Sequence, residues 1–426
     1  MDYKKEWLVS GPKIEELAAE MKDERKGRQA IASGKDGKGD KSERDGKNEV
    51  AIILPTFRNN PVTEKHLSYL KEQTFRNFDV IIIYGPDDQF VSGDYENVLH
   101  VRTKLDLGSA GSFYLGEKIS LKEGYGYLII TDGDCYPIDK NVIKNLMETQ
   151  QASTEEIIVI PYTVVPSEEF INRLIPYYGC MRASTFRKMG LSWFPFFYSG
   201  EEAEITERMR GIKTVEIDSR VQHHSRPMYF FTERNYYNMK NTLIDEIMYR
   251  KYSRFAKFMF LDIFMALNFL VVAPDYSKVF SRPVIGLLKQ KLFKNDYPPW
   301  KKVEVPQKTP ENAIDISGGS QKDFAKKIKS LNFKLFNKSV ILDRAGITGV
   351  VPLFMYLMAK EFYVMNRDDG KILFYGKSSI LQKILFLLLL LPVIIPLSIV
   401  LSAIAIIYSI ATFPYSSKKN IGYGIE

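Results

Sequence analysis

The sequence predicts an α/β fold with a mostly parallel mixed sheet, followed by a mainly helical C-terminal region and a C-terminal membrane segment. From Glu49 onward, short apolar runs closed by turn residues alternate with stretches of helical spacing. This alternation is typical of parallel strands with helices on both faces of the sheet. Near the C-terminus, residues 384–413 contain no charge, and that length exceeds the about 20 residues needed to cross a bilayer.

Each predicted element follows from a local pattern. The run EVAIILP is apolar and closed by Pro55, which indicates a buried strand. Further runs predict strands in the order FDVIIIYG, VLHVRT, YLIITDGD and EEIIVIPYT. Helical spacing over residues 62–73 and in GSFYLGEKISLKEGYG predicts the intervening helices, and residues 1–21 favour a short amphipathic helix. The carboxyl ends of the strands, where ligands bind in such sheets, lie along one edge.

The composition divides the chain into five regions. Between residues 22 and 48, 15 of 27 residues are charged, which predicts a flexible tether. We therefore expect these regions: a polar N-terminal extension over 1–48, the α/β domain over 49–245, an accessory region over 246–378, a hydrophobic segment over 379–415 and a basic tail over 416–426.

The apolar regions leave two alternatives open. In the accessory region, FAKFMFLDIFMALNFLVVAP fits a buried helix or one lying in the membrane interface. In the hydrophobic segment, Pro392 and Pro396 allow either one kinked span or a hairpin. Lysines on both flanks favour the hairpin, with both ends cytoplasmic.

Composition also limits the class of function. Two cysteines exclude a disulfide framework, and no Cys/His spacing of a zinc site occurs. The net charge of +8 indicates an anionic partner. Because no nucleic-acid-binding motif accompanies that charge, we assign it to a membrane surface rather than to nucleic acid. The N-terminus lacks the apolar core and the cleavage site of a secretory signal. Because the lysines that flank the hydrophobic segment favour the cytoplasmic side, we expect the catalytic domain in the cytoplasm, at the cell membrane.

The most informative motif is LIITDGDCYP, in which a strand delivers Asp132 and Asp134. Carboxylates suit Mg²⁺ or Mn²⁺, which complete their coordination with substrate phosphates. Alternation along an extended chain puts both side chains on one side, and Gly133 leaves room for a ligand. A solvated Asp-Gly turn would look the same.

Three weaker motifs follow a similar logic. The glycines of LDLGSAGSFYLG allow backbone to approach a ligand, although a tight turn before a helix explains them equally well. In FFYSGEEAEITER, Glu201 and Glu202 open a helix, where a carboxylate can act as a base or simply complement the helix dipole. VQHH places His223 and His224 at a strand end, where imidazole suits Mn²⁺ or phosphate or serves only packing.

The order of these motifs resembles the family 2 glycosyltransferases, whose catalytic domain has the Rossmann-like GT-A fold. The resemblance extends from about Val50 to Asn241. The segments PTFR and DLGSAGSF look closest to the rhamnosyl- and galactofuranosyl-transferase branch.

The resemblance implies a role for each matching residue. Asp132, Asp134 and His223 would hold the metal, and Glu202, or alternatively Glu201, would be the catalytic base. The residues implied in donor binding are Pro55, Thr56, Arg58, Asp87, Asp88, Asp106, Gly108, Gly111 and Asp132. Trp193, His224 and Lys240 would contact acceptor or diphosphate.

Three positions depart from the family pattern. Tyr84 stands where the family usually has an acidic residue near the nucleotide base, so that Asp87 or Asp88 would have to replace it. Asp106 replaces the usual Asn at the start of the glycine-rich motif, and Glu202 stands where Asp is commoner.

The sequence thus predicts an inverting, membrane-bound glycosyltransferase. Its donor would be a nucleotide sugar, its cofactor Mn²⁺ or Mg²⁺, and its acceptor a lipid-linked glycan or a lipid. Two alternatives stay open: an inactive membrane-bound relative that binds sugar or lipid, and a phosphatase of the haloacid dehalogenase type with Asp132 as nucleophile.

Overall fold

The computed structural model describes most of the chain. The described residues are 10–25, 48–56, 60–91, 95–165, 168–172, 175–223, 233–272, 274–289, 308–315, 338–343, 359–365, 372–377, 379–412 and 423–425. The chain divides into two compact units, one formed by residues 1–225 with 416–426 and the other by residues 226–415.

The first unit is built around a sheet of ten strands in the described part of the chain. Its strands are β1 Ala18–Asp23, β2 Val50–Pro55, β3 Phe78–Tyr84, β4 Val98–Thr103, β5 Tyr127–Thr131, β6 Cys135–Pro137, β7 Ile157–Val165, β8 Glu168–Asn172, β9 Tyr177–Arg182 and β10 Lys213–His223. Its α-helices are α1 Ile14–Leu17, α2 Asn60–Lys71, α3 Gly108–Glu123, α4 Val142–Ala152, α5 Ala183–Met189 and α6 Glu201–Arg208.

The strand order is β1-β4-β3-β2-β5-β9-β7-β10-β6, with β8 beside β7. Strands β2 to β5 run parallel to one another, and β10 runs parallel to β7. The strands β1, β6, β8 and β9 pair antiparallel with their neighbours. The predicted α/β class and the mostly parallel sheet are confirmed, as are the strands and helices predicted between Glu49 and Val165.

Burial explains why β2 and β3 read as unbroken apolar runs. Every residue of β3 is buried, and in β2 only Pro55 at the end is partly exposed. Strands covered on both faces lose the alternation of a half-exposed sheet. Because β2 and β5 pair in parallel, their carboxyl ends meet at one edge of the sheet. Thr56 and Asp132, which follow these two strands, lie close to each other along that edge.

The N-terminal region differs from its prediction. Among the described residues 10–25, only Ile14–Leu17 is helical, and residues 18–23 form β1, which pairs with the edge strand β4. Arg25 follows it and is buried between Asp23 and Glu123. The first part of the predicted flexible extension is thus an ordered part of the sheet, because pairing with β4 supplies backbone partners that sequence periodicity does not reveal. Residues 26–47 of the predicted tether lie outside the described residues.

The predicted basic tail also contributes to the first unit. The Leu191 amide donates to the Tyr423 carbonyl at 2.9 Å. The Tyr423 ring lies 5.7 Å from the ring of Tyr114, whose hydroxyl donates to the Pro12 carbonyl. Residues from both ends of the sequence therefore pack on helix α3.

The second unit combines helices with a small sheet. Its elements are α7 Glu233–Met248, α8 Tyr252–Val272, α9 Pro274–Leu288, β11 Ile314–Asp315, β12 Ser339–Asp343, β13 Glu361–Met365, β14 Ile372–Lys377, α10 Ile380–Leu389 and α11 Ile395–Thr412. The predicted helical character is confirmed, but the four-stranded sheet β11-β12-β13-β14 was not predicted. Its strands have only two to six residues, too few for a clear alternation of apolar and polar positions.

The hydrophobic segment forms one helical run rather than a hairpin. A π-helical turn over Leu390–Ile394, which contains Pro392, joins α10 to α11. The backbone stays right-handed helical on both sides, with φ −94° at Leu389 and φ −63° at Ile395. A proline removes one backbone donor and disturbs the helical ladder without reversing the chain.

Candidate metal centre and acidic helix start

The first two candidate metal ligands, Asp132 and Asp134, lie in the loop after β5. The strand is buried from Leu128 to Thr131, so the first residues that can face solvent are those after its end. Asp132 and Asp134 are both half-buried there. The Cys135 amide donates to the Asp132 carbonyl at 3.1 Å and closes a tight turn. Strand β6 follows at once, so the two carboxylates stand between two strands of the same sheet.

His223 reaches this loop from a distant part of the sequence. It is the last residue of β10, which pairs antiparallel with β6 so that His223 lies opposite Cys135. The His223 side chain is 9 % exposed, and its Nε2 lies 3.3 Å from Asp134 Oδ1 and 3.9 Å from Asp132 Oδ2. Strand pairing thus brings together three side chains that the sequence separates by about 90 positions.

These three residues form a possible cation site. One ligand atom from each of Asp132, Asp134 and His223 lies within 4.8 Å of the others. Two carboxylates and an imidazole suit Mn²⁺ especially, because Mn²⁺ accepts both oxygen and nitrogen ligands. Three protein ligands also leave coordination positions for the oxygens of a substrate. The donor set therefore fits the divalent cation predicted from the sequence.

Gly133, between the two aspartates, is contacted by Pro55 and by His66. A Cβ at this position would lie 2.6 Å from the Pro55 carbonyl oxygen, so only glycine fits against the end of β2. On the other side, His66 Nδ1 lies 3.1 Å from the Gly133 carbonyl oxygen. Glycine is required here by packing against β2. His66 was not predicted as a site residue, because a single histidine in a helix carries no local signal.

The glycine-rich motif also has a packing cause. Gly108 has φ +63°, and a Cβ there would lie 1.9 Å from the Phe197 carbonyl oxygen. A Cβ at Gly111 would lie 3.0 Å from the Phe194 ring. The Asp106 carboxylate accepts from the Gly108 amide at 3.1 Å and fixes the turn. The motif therefore lets α3 dock on the aromatic segment 194–197. Donor binding by Asp106, Gly108 and Gly111 stays a prediction.

Replacing Gly108 with Ala should destabilise the first unit strongly. The left-handed backbone costs an alanine about 1 kcal/mol, and the clash with the Phe197 carbonyl raises the total to about 3–5 kcal/mol. Gly124 is the matched control, because it ends the same helix at φ +80° with nothing within 4 Å of its Cβ position. Thermal unfolding should show a much larger decrease in Tm for Gly108→Ala. Equal decreases would contradict the docking role.

The aromatic segment leads directly to the acidic helix start. Gly200 adopts φ +95° before α6, and Glu201 and Glu202 are the first two helical residues. The Glu201 carboxylate is buried and accepts the Ser109 hydroxyl, which comes from the glycine-rich motif. Glu202 is half-buried. Of the two candidates for the base, Glu202 is thus the more accessible.

Buried polar contacts fix the position of α6. Arg208 and Glu204, one turn apart, form an ion pair of 3.0 Å with both side chains almost fully buried. Near this pair, the Ser192 amide and hydroxyl donate to the Glu117 carboxylate at 2.6 and 2.7 Å. Burial raises the pKa of Glu117, although the nearby Arg208 opposes that shift. A helix start held this firmly can present a carboxylate in one orientation.

The predicted nucleotide-binding loops have well-defined contacts. Thr56 follows β2, and its amide donates to the Ile83 carbonyl at 2.9 Å. Asp88 is buried and accepts from the Gly85 amide at 3.0 Å, whereas Asp87 is exposed. Of these two carboxylates, Asp87 is therefore the one accessible to a ligand. Arg58 lies outside the described residues.

Tyr84 replaces the family's acidic residue with a packed side chain. Its hydroxyl lies 2.9 Å from His100 Nδ1 and accepts from the Val91 amide at 3.3 Å. Burial raises the pKa of Tyr84, so the phenol stays neutral. Tyr84 stabilises the loop after β3. These contacts account for its position without any contact to a nucleotide base.

The remaining predicted contacts lie in different surroundings. Trp193 is 2 % exposed and packs edge-on against Phe196. Lys240 belongs to α7 of the second unit and is fully buried, with its ammonium 4.8 Å from the Tyr237 ring centroid. Burial explains both residues by packing, and their contacts with acceptor or diphosphate stay predictions. His224 lies outside the described residues.

Comparison with known proteins gives structural similarity only. No family model matches the chain, and no curated protein matches it. The mannosyltransferase PcManGT from Pyrobaculum calidifontis, solved with GDP-Man and Mn²⁺, matches with a TM-score of 0.37 and 11 % identity, over 57 % of this chain and 76 % of that chain.

Two further solved structures match at the same level. TarS 1-349 of S. aureus, in complex with UDP-GlcNAc, matches with a TM-score of 0.37 and 12 % identity, over 49 % of this chain and 71 % of that chain. GalNAc-T7, with UDP, GalNAc and Mn²⁺, matches with a TM-score of 0.36 and 13 % identity, over 48 % of each chain. Similarity this low does not assign a function to the chain.

Proposed function

We propose that the chain is a GT-A-type glycosyltransferase that transfers a sugar from a nucleoside-diphosphate sugar with the help of a divalent cation. The observation that carries this proposal is the cluster of Asp132, Asp134 and His223 at the carboxyl edge of the sheet. Glu201 and Glu202 supply a carboxylate at a fixed helix start. The order of the sequence motifs, which resembles family 2 and its rhamnosyl- and galactofuranosyl-transferase branch, supports the same function.

Asp132, Asp134 and His223 would hold Mn²⁺ or Mg²⁺. When bound, the cation would neutralise charge on the nucleoside diphosphate as it leaves the sugar. Glu202 would accept the proton of the acceptor hydroxyl, whose oxygen attacks the anomeric carbon from the face opposite the diphosphate. The sugar–phosphate bond breaks, and its electron pair remains on the diphosphate. A single displacement of this kind inverts the anomeric configuration.

Measuring nucleoside-diphosphate release from a panel of nucleotide sugars with Mn²⁺ tests this proposal. A glycosyltransferase releases the diphosphate from its own donor, with a faster rate when the acceptor is present. An inactive relative would bind without release. A haloacid-dehalogenase-type phosphatase would release inorganic phosphate instead, and its motif normally follows the first strand, whereas Asp132 follows β5. Absence of diphosphate release across the panel would overturn the proposal.

The helix α11 supports attachment to a membrane. Among the described residues, one helical run is long and apolar enough to cross a bilayer: it extends over Pro392–Thr412 and comprises α11 with the end of the π-helical turn before it. In α11 the residues facing the protein are small and mostly polar, namely Ser398, Ser402, Ala405 and Ser409. Large aliphatic residues face outward, and Ile404 and Ile407 are 59 % and 69 % exposed. A soluble protein would show the reverse arrangement, whereas small residues inside and large apolar residues outside are typical of a helix surrounded by lipid.

We propose that the enzyme is attached at the cytoplasmic face of the cell membrane, where it would act on a lipid-linked glycan or a lipid. The net charge of +8 is consistent with an anionic lipid surface. The acceptor follows from this location, because an enzyme fixed at the membrane meets acceptors that are fixed there as well.

Introducing charge on the outer face of α11 should release the protein from membranes. Each aspartate costs about 2.5–3.5 kcal/mol in the centre of a bilayer, so Ile404→Asp with Ile407→Asp should move most of the protein out of the membrane fraction in flotation assays. Deleting the segment would be a less specific test, because it would also remove Tyr423 from its contact with Tyr114.

A control with the same added charge keeps that experiment specific. Gln151 and Thr214 are exposed residues of the first unit, and the double variant Gln151→Asp with Thr214→Asp should float with membranes as the wild type does. If the α11 variant also floats like the wild type, the outer face of this helix does not contact lipid.

A further inference from the structure

Three consecutive residues at the start of β9 each contact a different part of the cation site. The Asp132 amide donates to the Pro176 carbonyl at 2.9 Å. The Tyr177 ring lies against the His223 imidazole, with ring centroids 4.4 Å apart. The Tyr178 hydroxyl contacts His66 Nε2, and His66 contacts the Gly133 carbonyl through its other nitrogen. Residues 176–178 therefore contact Asp132 and His223 directly, and they contact Gly133 through His66.

The backbone of this segment is irregular at Tyr178. On β5, Ile130 pairs with Gly179 and Thr131 pairs with Tyr177, so Tyr178 is an extra residue without a partner in the β5–β9 ladder. It also has φ +68°, a left-handed conformation that is a genuine outlier for a bulky side chain. Bulges of this kind occur next to active sites, where they redirect a side chain. Strain that persists at one residue indicates that the surrounding structure requires it.

The chemistry of the three partners determines which way the hydrogen bonds point. A carbonyl oxygen only accepts, so His66 must carry its proton on Nδ1 to donate to Gly133. Burial lowers the pKa of His66 to about 4, so the ring is neutral and Nε2 is left as an acceptor. The Tyr178 hydroxyl must then donate to Nε2. The Tyr178 and His66 side chains, which together form a hydrogen-bond relay to the Gly133 carbonyl, are both fully inaccessible to solvent.

The relay acts on the peptide that joins the two aspartates. Gly133 is already pressed against the Pro55 carbonyl on its other side, where a Cβ would lie only 2.6 Å away. Packing against Pro55 therefore limits the position of the Gly133 Cα, and the His66 contact fixes the direction of its carbonyl. Because Asp132 and Asp134 flank this one residue, rotation of the Gly133 peptide would change the separation of their carboxylates.

We infer that Tyr178 and His66 are positioning residues that fix the Gly133 peptide and thereby set the geometry in which Asp132 and Asp134 bind the cation. The inference rests on the proposed cation site, and it assigns a purpose to the strained bulge. Residues that orient ligands from behind typically change metal affinity by about 10- to 100-fold when they are removed.

Tyr178→Phe tests the inference with the loss of one oxygen atom. In the full-length, detergent-solubilised protein, Mn²⁺ affinity is measured from the electron paramagnetic resonance signal of the free ion. We expect Kd for Mn²⁺ to rise about 10-fold. The matched control is Tyr125→Phe, which removes another buried hydroxyl, one that donates to Asp79 at 2.5 Å. Tyr125→Phe should lose a similar amount of stability and keep the wild-type Kd.

Substitutions of His66 give a second readout. His66→Asn keeps a donor near the Nδ1 position and should bind Mn²⁺ more tightly than His66→Leu, which has none. An unchanged Kd in a folded Tyr178→Phe variant, with tight binding by the wild type, would overturn this inference alone. Failure of the wild-type protein to bind Mn²⁺ would instead overturn the proposed cation site.

Discussion

Replacing Asp134 with Asn should reduce sugar transfer about a thousandfold or more. The substitution keeps the size of the side chain but removes one of the two carboxylate charges of the site, and its remaining oxygen is a weaker ligand. His223 Nε2 would lose its 3.3 Å contact with a charged oxygen. Loss of about 4 kcal/mol of transition-state stabilisation corresponds to this decrease in rate. The measurement is diphosphate release at saturating donor, with Mn²⁺ titrated over several orders of magnitude.

Asp218→Asn is the matched control for that result. Asp218 lies on β10, the same strand that carries His223, and it is exposed. The change of charge and volume is identical, so the control should retain wild-type turnover and the same dependence on Mn²⁺. If Asp134→Asn is as active as the control at every Mn²⁺ concentration, the cluster is not the cation site of the reaction.

Replacing Glu202 with Gln should abolish transfer while donor binding is kept. The amide has the same shape but cannot accept the proton of the acceptor hydroxyl, and loss of a positioned base typically lowers the rate by about 10²- to 10⁴-fold. Kd for the nucleotide sugar, measured by calorimetry in the presence of Mn²⁺, should stay near the wild-type value. A decrease in kcat without loss of donor affinity is typical of a group that acts in the chemical step.

Glu201→Gln distinguishes between the two candidates for the base. The Glu201 carboxylate is buried and accepts the Ser109 hydroxyl, so its substitution should lower stability and reduce activity only in part. Glu207→Gln on the same helix is the control. It should behave like the wild type, because Glu207 pairs with Arg210, whose side chain is 69 % exposed, and ion pairs at the surface contribute little. Retained turnover in Glu202→Gln, together with loss of turnover in Glu201→Gln, would transfer the role of base to Glu201.

The sequence predicted those parts of the site that depend on local pattern. Asp132 and Asp134 follow a strand whose apolar run is unmistakable, and Glu201 begins a helix after an aromatic segment. His223 was expected at the end of a strand, and it is the last residue of β10. These features require only alternation, helical spacing and turn residues, all of which act over a few positions.

The support behind the site could not be predicted, because it depends on contacts between distant segments. His66 and Gly133 are 67 positions apart, and Tyr178 is 112 positions from His66. The bulge at Tyr178 is a property of the β5–β9 pairing, and no residue type in YYGCMR indicates it. Sequence pattern identifies the residues that face the ligand more readily than those that hold them.

Glycines show a related ambiguity. The motif LDLGSAGSFYLG suggested space for a ligand beside the backbone, but the space next to Gly108 and Gly111 is occupied by Phe197 and Phe194. A missing Cβ indicates close approach in both cases. Only the structure shows whether the neighbour is a ligand or another part of the chain.

Binding of Mn²⁺ to the wild-type protein, with and without a nucleoside diphosphate, tests the central claim most directly. If Asp132, Asp134 and His223 hold a cation that contacts the donor, one Mn²⁺ should bind per chain, and UDP or GDP should tighten it, because the phosphate oxygens complete its coordination. Asp134→Asn should lose both the site and the coupling. Mn²⁺ binding that is absent, or that is equal in wild type and Asp134→Asn, would contradict the account.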